Sequence, residues 1–505
     1  MSEETKTKDE QPKLRAKDLK DNNILTAKFF WEFHNKLPIV QANRHLYQYN
    51  GKHYELIDHF GIRQRFYEFA SKGGFSSLFS SNRATEMYNT LLASPYIKET
   101  EFDTYRNMIC LRNGIIKFDT TGITRYDHHE GLHFSTMIDA DYEPNLGQKD
   151  CPRFMEFLRH CFTDENDVVD EETVQQLLEI GGYLLYPQNK LRKMFIFLGE
   201  GSNGKSVLLD VYKMMFPKQF VTSLTLQDLS SESVGVRSTI LRSRLNISTE
   251  AKSNAVDAEE IKKIISGEQI TVSQKFLEAV DFIPFTKLLV ASNTRPYFND
   301  TTHAIERRLV FITFKNRYVP MHELQKTQFP KQNRVHLAAD YDTLIATFAE
   351  EKNAILGAFA EKLKDKLQYG WNFIETANML AAKEEYKESN DPVGTFIKNR
   401  YEPSNNEFAY MTVQEVLDEY REWHKKNVSE SSSLKLSTNS IGRKITEAFR
   451  IEGFRKYAKE TGQVMCYNIK PKNYANELGP VGSYLQPDTG VGKLVQETLS
   501  TDVPW

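Results

Sequence analysis

The sequence has few cysteines and no long hydrophobic run. Its four cysteines (Cys110, Cys151, Cys161 and Cys466) are scattered and form no CxxC pair. This pattern argues against a disulfide framework and a cysteine-ligated zinc site, and it favours reduced thiols. No stretch approaches the roughly eighteen apolar residues of a membrane-spanning helix, and residues 1–20 are polar and rich in lysine. We therefore expect a cytoplasmic protein that is neither secreted nor bound to a membrane.

A general excess of positive charge is also missing. Charged residues make up 26% of the chain, and the formal net charge is −3. Any affinity for DNA must therefore come from local basic surface rather than from the charge of the whole protein. A length of 505 residues predicts about three domains, each large enough to bury its own core.

The most informative segment is Gly199–Ser206, which reads Gly-Glu-Gly-Ser-Asn-Gly-Lys-Ser. An apolar run, Met194–Leu198, precedes it, and helical spacing follows, so the segment has the strand–loop–helix context of a phosphate loop. Small residues allow backbone N–H groups to close around a β-phosphate, and the helix N-terminus adds a favourable dipole. Lys205 would reach the β- and γ-oxygens, and the Ser206 hydroxyl would hold Mg²⁺. The predicted ATP-binding residues are Gly199, Gly201, Ser202, Asn203, Gly204, Lys205, Ser206 and Val207.

Three weaker signals follow in the order that an ATPase site requires. A predicted strand ends in Glu250, which could bind the Mg²⁺ shell or polarise the attacking water. Another ends in Asn293, which suits a sensor of the γ-phosphate or the lytic water. Arg307 and Arg308 precede a buried strand and are suited to reach a γ-phosphate across a subunit interface. Each has a plain alternative: a surface glutamate, a turn-forming asparagine and ordinary surface charge.

Two further regions suggest contact with DNA. Residues 267–285 predict a hairpin with Lys275 and Phe276 near its tip, where a cation and an aromatic ring could grip a nucleic acid strand. An exposed hairpin tip without a function is the alternative. Three predicted helices and a small hairpin at the C-terminus are typical of a winged helix. The candidates for DNA contact in it are Asn439, Arg443, Lys444 and Lys456. Winged helices also dock proteins, so both interpretations stay open.

Taken together, these residues resemble superfamily 3 DNA helicases of the poxvirus and phage/plasmid primase–helicase type. The likeness runs from about Arg112 to Lys470, and the ordered set from Gly199 to Arg308 is its most specific part. It implies an AAA+-like, hexameric motor that uses ATP and Mg²⁺. In that motor Glu250 would be the Walker B acid and Asn293 the sensor. Lys275 and Phe276 would lie on a pore hairpin that contacts single-stranded DNA. The sequence departs from the family in one respect, because many members end Walker B with two adjacent acids.

The resemblance and the spacing together predict an α/β multidomain fold. Its parts would be an α+β N-terminal domain, an AAA+-like phosphate-loop ATPase core and a C-terminal winged helix. The predicted boundaries are a disordered tail at 1–20, the N-terminal domain at 21–165, the ATPase domain at 166–345, a helical connection at 346–388, the winged helix at 389–475 and a flexible tail at 476–505.

The leading hypothesis is an ATP-dependent DNA helicase that initiates replication of a phage, plasmid or genomic island in a bacterial host. The narrower likeness is to initiators of staphylococcal pathogenicity islands. Its partners would be DNA, five further copies of itself in a hexamer, and host replication proteins. The first alternative is an origin-binding initiator that ATP only switches, without unwinding. A phosphate-loop kinase or signalling ATPase is the second alternative, and it leaves the hairpin and the basic C-terminal region without a role.

Overall fold

The structure is a computed structural model in which the chain forms two compact units, Met1–Lys383 and Glu384–Trp505. It describes residues 28–29, 38–73, 79–94, 97–231, 236–249, 256–272, 280–299, 304–406, 408–427, 436–458 and 462–472. Within these ranges, no helix combines the length and the apolar character needed to cross a bilayer. All four cysteines lie within them, and each is buried and free.

The first unit begins with two small antiparallel sheets, each a meander of three strands. The strands are Ile39–Ala42, His45–Tyr49 and Tyr54–Ile57 in one sheet, and Met108–Leu111, Gly114–Asp119 and Gly122–Tyr126 in the other. Between them lie the helices His59–Lys72 and Ser81–Leu92, capped by the side chains of Asp58 and Ser80. This part of the chain is therefore mixed α and β.

Four helices of the first unit share a hydrophobic core with the strands of a parallel sheet. The helices are Pro152–Cys161, Glu171–Leu185, Tyr341–Glu350 and Lys352–Tyr369. Helix Glu171–Leu185 contains the pair Gly181 and Gly182. A Cβ at Gly181 would lie 2.3 Å from the Phe359 ring, and one at Gly182 would lie 2.6 Å from the Phe359 carbonyl oxygen. Glycine is thus needed inside this helix because another helix approaches it closely.

The helical connection predicted at 346–388 does not begin with one continuous helix. The chain breaks at Glu351 into the helices Tyr341–Glu350 and Lys352–Tyr369. The Glu351 carboxylate accepts hydrogen bonds from the backbone N–H groups of Arg153 and Phe154, at 3.0 and 2.9 Å. These N–H groups lie in the first turn of helix Pro152–Cys161, where helical donors lack a partner in their own helix. The break therefore places a carboxylate where it caps a neighbouring helix.

The centre of the first unit is a parallel sheet of five strands. In chain order they are Met194–Leu198, Val221–Thr222, Leu245–Ser248, Lys287–Ser292 and Leu309–Thr313. In space the order is fifth, first, fourth, third, second, and every neighbouring pair is parallel. The first and fourth strands are buried along their whole length, as expected of strands covered on both faces.

The remaining elements of the first unit are short. The helices are Lys205–Met214, Leu226–Ser230, Ala258–Ser266 and Met321–Leu324. Three two-stranded ribbons pair Val256–Asp257 with Phe298–Asn299, Ile270–Val272 with Val280–Phe282, and Arg317–Val319 with Val335–Leu337. The second of these is antiparallel, so the two arms of the hairpin predicted at 267–285 are present, whereas its tip lies outside the described residues.

The second unit contains three helices and a hairpin, in the predicted order. The helices are Pro392–Arg400, Val413–Asn427 and Thr438–Phe449, and the hairpin pairs Phe454–Ala458 with Gly462–Tyr467. Met411–Thr412 adds a third strand to the hairpin, and Tyr401–Pro403 pairs with Ile469–Pro471. A core that includes Phe396, Tyr420 and Ile441 joins these elements.

The boundary predicted between residues 388 and 389 falls inside the helix Ala377–Asn390. This helix also contains the point at which the chain divides into the two compact units. Polar residues on an exposed helix face have the same composition as a loop, so composition cannot separate the two. The break comes one residue later, at Asp391, whose side chain caps the next helix.

Candidate functional site: a glycine-rich loop and the cleft above it

The loop Gly199–Gly204 joins the first strand of the sheet to helix Lys205–Met214, which we call the loop helix. Gly199, Gly201, Ser202 and Gly204 all have positive φ angles. A Cβ at Gly199 would lie 1.8 Å from Asn203 Nδ2 and 2.8 Å from the Phe314 carbonyl oxygen. The tight path of this loop therefore depends on glycine.

Neighbouring segments support the loop from the protein side. The backbone N–H of Tyr318 donates to the Ser202 carbonyl oxygen at 2.6 Å, and that of Gly199 donates to the Ser292 carbonyl oxygen at 3.3 Å. At the other end, a Cβ on Gly204 would lie 2.8 Å from the buried sulfur of Cys161. Contacts with neighbouring segments thus hold the loop in place.

Lys205 is the first residue of the loop helix, its side chain points back into the loop, and the residue is 6% exposed. Its Nζ donates to the Gly199 carbonyl oxygen at 2.6 Å and to Asn203 Oδ1 at 3.0 Å. Burial lowers the pKa of Lys205 to about 8. Asn203 Nδ2 is buried without a hydrogen-bond partner among the described residues. The loop therefore presents a cation and a spare amide donor, a combination that suits an anionic ligand.

A cleft of about 960 Å³ opens above the loop. Residues Gly201–Val207, from the loop and the start of the loop helix, line it together with Thr249 from the end of the third strand and Asn293 from the end of the fourth. Ser206 and Asn293 are both exposed within it. The structure thus brings Lys205, Ser206 and Asn293 together at the carboxyl edge of the sheet. Glu250, the predicted acid, follows Thr249 but lies outside the described residues.

The two arginines lie at the opposite edge of the sheet. The fifth strand begins at Leu309, which is level with Met194, and the phosphate loop begins only after Leu198. Leu309 therefore lies four residues before the level of Leu198, which is about 13 Å along the strand direction. Both arginines precede Leu309, so neither side chain reaches the cleft of its own chain.

The two arginine side chains differ in their surroundings. Arg308 is half-buried, and its guanidinium donates to Ser266 Oγ at 3.1 Å and to the Ala304 carbonyl oxygen at 2.8 Å. Arg307 is exposed, while its backbone oxygen accepts from Lys193 Nζ at 2.8 Å. The backbone at Arg307 is therefore held in place while its guanidinium faces solvent.

Of the predicted DNA-contacting residues, those of the second unit lie within the described residues, and those of the hairpin tip do not. Lys275 and Phe276 lie outside the described residues. In the second unit, Asn439 and Arg443 are exposed on helix Thr438–Phe449, and Lys456 Nζ lies 3.7 Å from the centre of the Tyr410 ring.

Lys444 is the member of this set that the structure places differently. It forms ion pairs of 3.0 Å with both Asp391 and Glu447. Burial opposes its charge, but the hydrogen bonds to these two carboxylates outweigh burial and raise the pKa of Lys444. Its charge is therefore balanced within the unit, unlike that of Arg443.

Several cleft residues come from segments that the sequence analysis did not connect with the site. Phe157 and His160 come from helix Pro152–Cys161, and Tyr341, Leu344 and Phe348 from helix Tyr341–Glu350. Phe157 and His160 lie about forty residues before the glycine-rich loop along the chain, and the other three lie more than a hundred residues after it. Their helical spacing is the same as that of ordinary core residues, so the sequence offers no signal for them.

Two protein families match parts of this chain. Residues 27–163 match the family described as "D5 N terminal like". Residues 197–308, which contain the glycine-rich loop and both arginines, match a family of unknown function (DUF5906). The second match includes the second, third and fourth strands of the sheet.

Distant relatives are viral proteins. The chain is 21% identical to "Putative helicase 121R" of Invertebrate iridescent virus 3, over 63% of this chain and 35% of that protein. It is 21% identical to "Putative primase C962R" of African swine fever virus, over 68% and 37%. It is 21% identical to "Putative helicase L207/L206" of Acanthamoeba polyphaga mimivirus, over 79% and 43%. The chain thus spans about two fifths or less of the length of each of these relatives.

One solved structure, the C-terminal region of NrS-1 in its apo A form, aligns with 88% of this chain and is itself covered to 98%. The TM-score is 0.45 and the sequence identity 11%.

Proposed function

We propose that this chain is an ATP-dependent DNA helicase that initiates replication of a mobile element such as a phage, plasmid or genomic island. The observation that carries the proposal is the cleft at the carboxyl edge of the sheet, where Lys205, Ser206 and Asn293 converge. Open α/β sheets bind ligands at this edge. The distant likeness to viral proteins named as helicases and primases favours a replicative motor over other uses of a phosphate loop.

The residues of the cleft fit a nucleoside triphosphate with Mg²⁺. Lys205 would exchange its two hydrogen bonds within the loop for the β- and γ-oxygens. Ser206 and Glu250 would hold Mg²⁺, which supplies charge neutralisation on the phosphates when bound. Asn293 would orient the lytic water or the γ-phosphate, and Glu250 would accept the proton of the water.

Arg307 is our choice for the arginine that completes the site of a neighbouring subunit. Its exposed guanidinium lies at the edge of the sheet remote from its own cleft, whereas Arg308 is bound to Ser266 and Ala304 of its own chain. A head-to-tail contact that places Arg307 in the next cleft repeats around a closed ring. The proposed assembly is a hexamer that moves along single-stranded DNA in its pore, gripped by Lys275 and Phe276.

The second unit is the proposed contact with duplex origin DNA. Asn439 and Arg443 are exposed on the helix that precedes the hairpin, the position of a recognition helix in a winged fold. Lys456 on the hairpin supplies a further cation. We do not assign Lys444 to this contact, because two carboxylates already bind it.

The test is displacement of one strand from a forked DNA with ATP and Mg²⁺. The wild type should separate the strands, and Lys205→Ala should not, because it removes the cation from the phosphate cradle. Lys218→Ala is the matched control, since Lys218 is an exposed lysine outside the cleft. If the wild type assembles on DNA with ATP but separates no strands, the protein is instead an origin-binding initiator that ATP switches.

A further inference from the structure

Three charged side chains that do not line the cleft connect to the backbone at Arg307. Lys193 Nζ donates to the Arg307 carbonyl oxygen at 2.8 Å and to Glu375 Oε1 at 3.1 Å. Lys383 Nζ donates to both carboxylate oxygens of Glu375, at 2.8 and 2.9 Å. The side chains of Lys193, Glu375 and Lys383 are only 18%, 11% and 14% exposed. We call this set of contacts the Glu375 bridge.

The pairing of two strands brings Lys193 to Arg307. Lys193 directly precedes the first strand of the sheet, and Arg307 lies two residues before the fifth. These two strands are parallel, and Met194 is level with Leu309. Lys193 therefore lies at the amino edge of the sheet, where its ammonium group reaches the Arg307 carbonyl oxygen.

Contacts on both sides of Glu375 fix its position in the first unit. The Phe373 ring contacts the ring of Phe195 in the first strand, with centroids 5.6 Å apart. Thr376 Oγ1 lies 2.9 Å from Oγ1 of Thr173, which belongs to a core helix, and both threonines are buried. Glu375 thus lies between two anchored residues, and its carboxylate is directed at Lys193 and Lys383.

Glu375 is the one acid of the bridge and lies between two cations. Burial opposes its charge, but the hydrogen bonds from Lys383 and Lys193 outweigh burial and lower the pKa of Glu375. Burial lowers the pKa of Lys193 despite its hydrogen bond to Glu375. Without the carboxylate, two poorly exposed ammonium groups would lose their counter-charge, and Lys193 would turn toward solvent. The hydrogen bond to the Arg307 carbonyl oxygen therefore depends on Glu375.

A second ion pair of similar burial provides a comparison. Glu179 Oε1 lies 2.8 Å from Lys366 Nζ, and the two side chains are 12% and 15% exposed. This pair joins helix Glu171–Leu185 to helix Lys352–Tyr369 and includes neither Lys193 nor Arg307. A difference between the two glutamates would therefore report the connection to Arg307 rather than the loss of a half-buried charge.

We propose that Glu375 is a positioning residue which, through Lys193, holds the backbone at Arg307 in the geometry that hydrolysis at a neighbouring subunit requires. The inference rests on the proposed function, because it requires Arg307 to act on the site of another copy. Misplacing a group by about 1 Å can lower a rate on the order of 100-fold. A small shift of the Arg307 backbone would therefore be measurable as a loss of kcat.

The experiment measures steady-state ATP hydrolysis with Mg²⁺ and single-stranded DNA, together with the Kd for ATP. Glu375→Gln keeps the shape of the side chain and removes its charge, and Glu179→Gln is the matched control. Glu375→Gln should lower kcat by roughly 10- to 100-fold and leave the Kd within about twofold. Glu179→Gln should lower kcat by less than about twofold. Lys193→Met, which breaks the bridge at its other end, should reproduce the effect of Glu375→Gln.

Mixtures of variants locate the defect. Lys205→Ala lacks a working cleft but keeps Arg307, whereas Arg307→Ala keeps its cleft. If Glu375→Gln has an intact cleft and a misplaced Arg307, adding Lys205→Ala should restore hydrolysis, and adding Arg307→Ala should not. Restoration by Arg307→Ala instead would place the defect in the variant's own cleft and contradict the inference.

The remaining outcomes separate the inference from the proposed function. If Arg307→Ala loses hydrolysis while Glu375→Gln and Lys193→Met match the wild type, Arg307 keeps its role and the bridge does not position it. An equal loss in Glu375→Gln and Glu179→Gln would reflect damage to the unit as a whole and would also overturn the inference. If Arg307→Ala hydrolyses ATP as the wild type does, the role proposed for Arg307 fails, and the inference fails with it.

Discussion

The two edges of the five-stranded sheet differ in how much of a site they contain. The carboxyl edge holds a supported loop, a buried lysine and a cleft, all within one chain. The amino edge presents Arg307, an exposed guanidinium on a fixed backbone, about 13 Å of strand away from that loop. Under the proposed function, the carboxyl edge would bind a nucleotide within one chain, whereas Arg307 would act on the site of a neighbouring subunit. The difference suggests that binding is a property of the chain and hydrolysis a property of an assembly.

The largest expected effect separates the two arginines of the amino edge. Arg307→Ala should lower kcat for ATP hydrolysis by on the order of 10³-fold and leave the Kd for ATP within about twofold, because the finger acts on the transferring phosphoryl group. Steady-state hydrolysis and nucleotide titration measure the two quantities.

Arg308→Ala serves as the comparison, since it removes two hydrogen bonds within the chain. It should lower the free energy of unfolding by about 1–3 kcal/mol, which thermal or urea denaturation measures. A large loss of kcat for Arg308→Ala with unchanged stability would reverse the assignment.

The next effect tests the shape of the carboxyl edge. Gly199→Ala should abolish measurable nucleotide binding, because its Cβ would overlap Asn203 Nδ2 and the Phe314 carbonyl oxygen. Gly201 has φ of +102° but no atom within 4 Å of an added Cβ. Gly201→Ala should therefore add only backbone strain of about 1–2 kcal/mol. Equal binding by both variants, measured by calorimetry, would show that the loop path does not matter.

A smaller effect is expected from pH. Burial lowers the pKa of Lys205 to about 8, and bound phosphates would favour its charged form. Binding of nucleotide therefore takes up a proton above this pKa, and affinity should fall as pH rises from 8 to 9.5, by up to about tenfold per unit. Lys205→Ala should bind weakly with no such dependence. A wild-type affinity that stays constant over this range would contradict the assigned role of Lys205.

The smallest effect concerns the second unit, where the distinction between an exposed and a paired cation recurs. Arg443→Ala should weaken binding to duplex DNA several-fold and reduce the slope of log affinity against log salt by about one. Lys444→Ala should leave that slope unchanged, because Asp391 and Glu447 already balance its charge. Fluorescence anisotropy at several salt concentrations measures both. A lower slope for Lys444→Ala alone would exchange the two roles.

Much of the fold could be predicted from local pattern. A short apolar run predicts a strand with both faces covered, and the runs at 194–198, 287–291 and 309–314 form such strands. The glycine-rich loop lies between a strand and a helix, as its spacing predicts. The three helices and the hairpin of the second unit follow from the same periodicity.

The rest depended on contacts between distant segments. The break at Glu351 exists because its carboxylate caps a helix about 200 residues earlier in the chain. Phe157, Leu344 and Phe348 line the cleft, yet they have the same helical spacing as residues of an ordinary core helix. The difference between Arg307 and Arg308 depends on Ser266 and on where the backbone carbonyl of Ala304 points. None of these facts is visible in residue spacing.

Mixing two inactive variants tests whether Arg307 acts between subunits. Lys205→Ala retains Arg307, and Arg307→Ala retains Lys205, so a shared interface can combine one intact cleft with one intact finger. Equimolar mixing should restore ATP hydrolysis to about a quarter of the wild-type rate if subunits exchange at random in a closed ring. A mixture no more active than the sum of its two components would contradict a finger that acts between subunits.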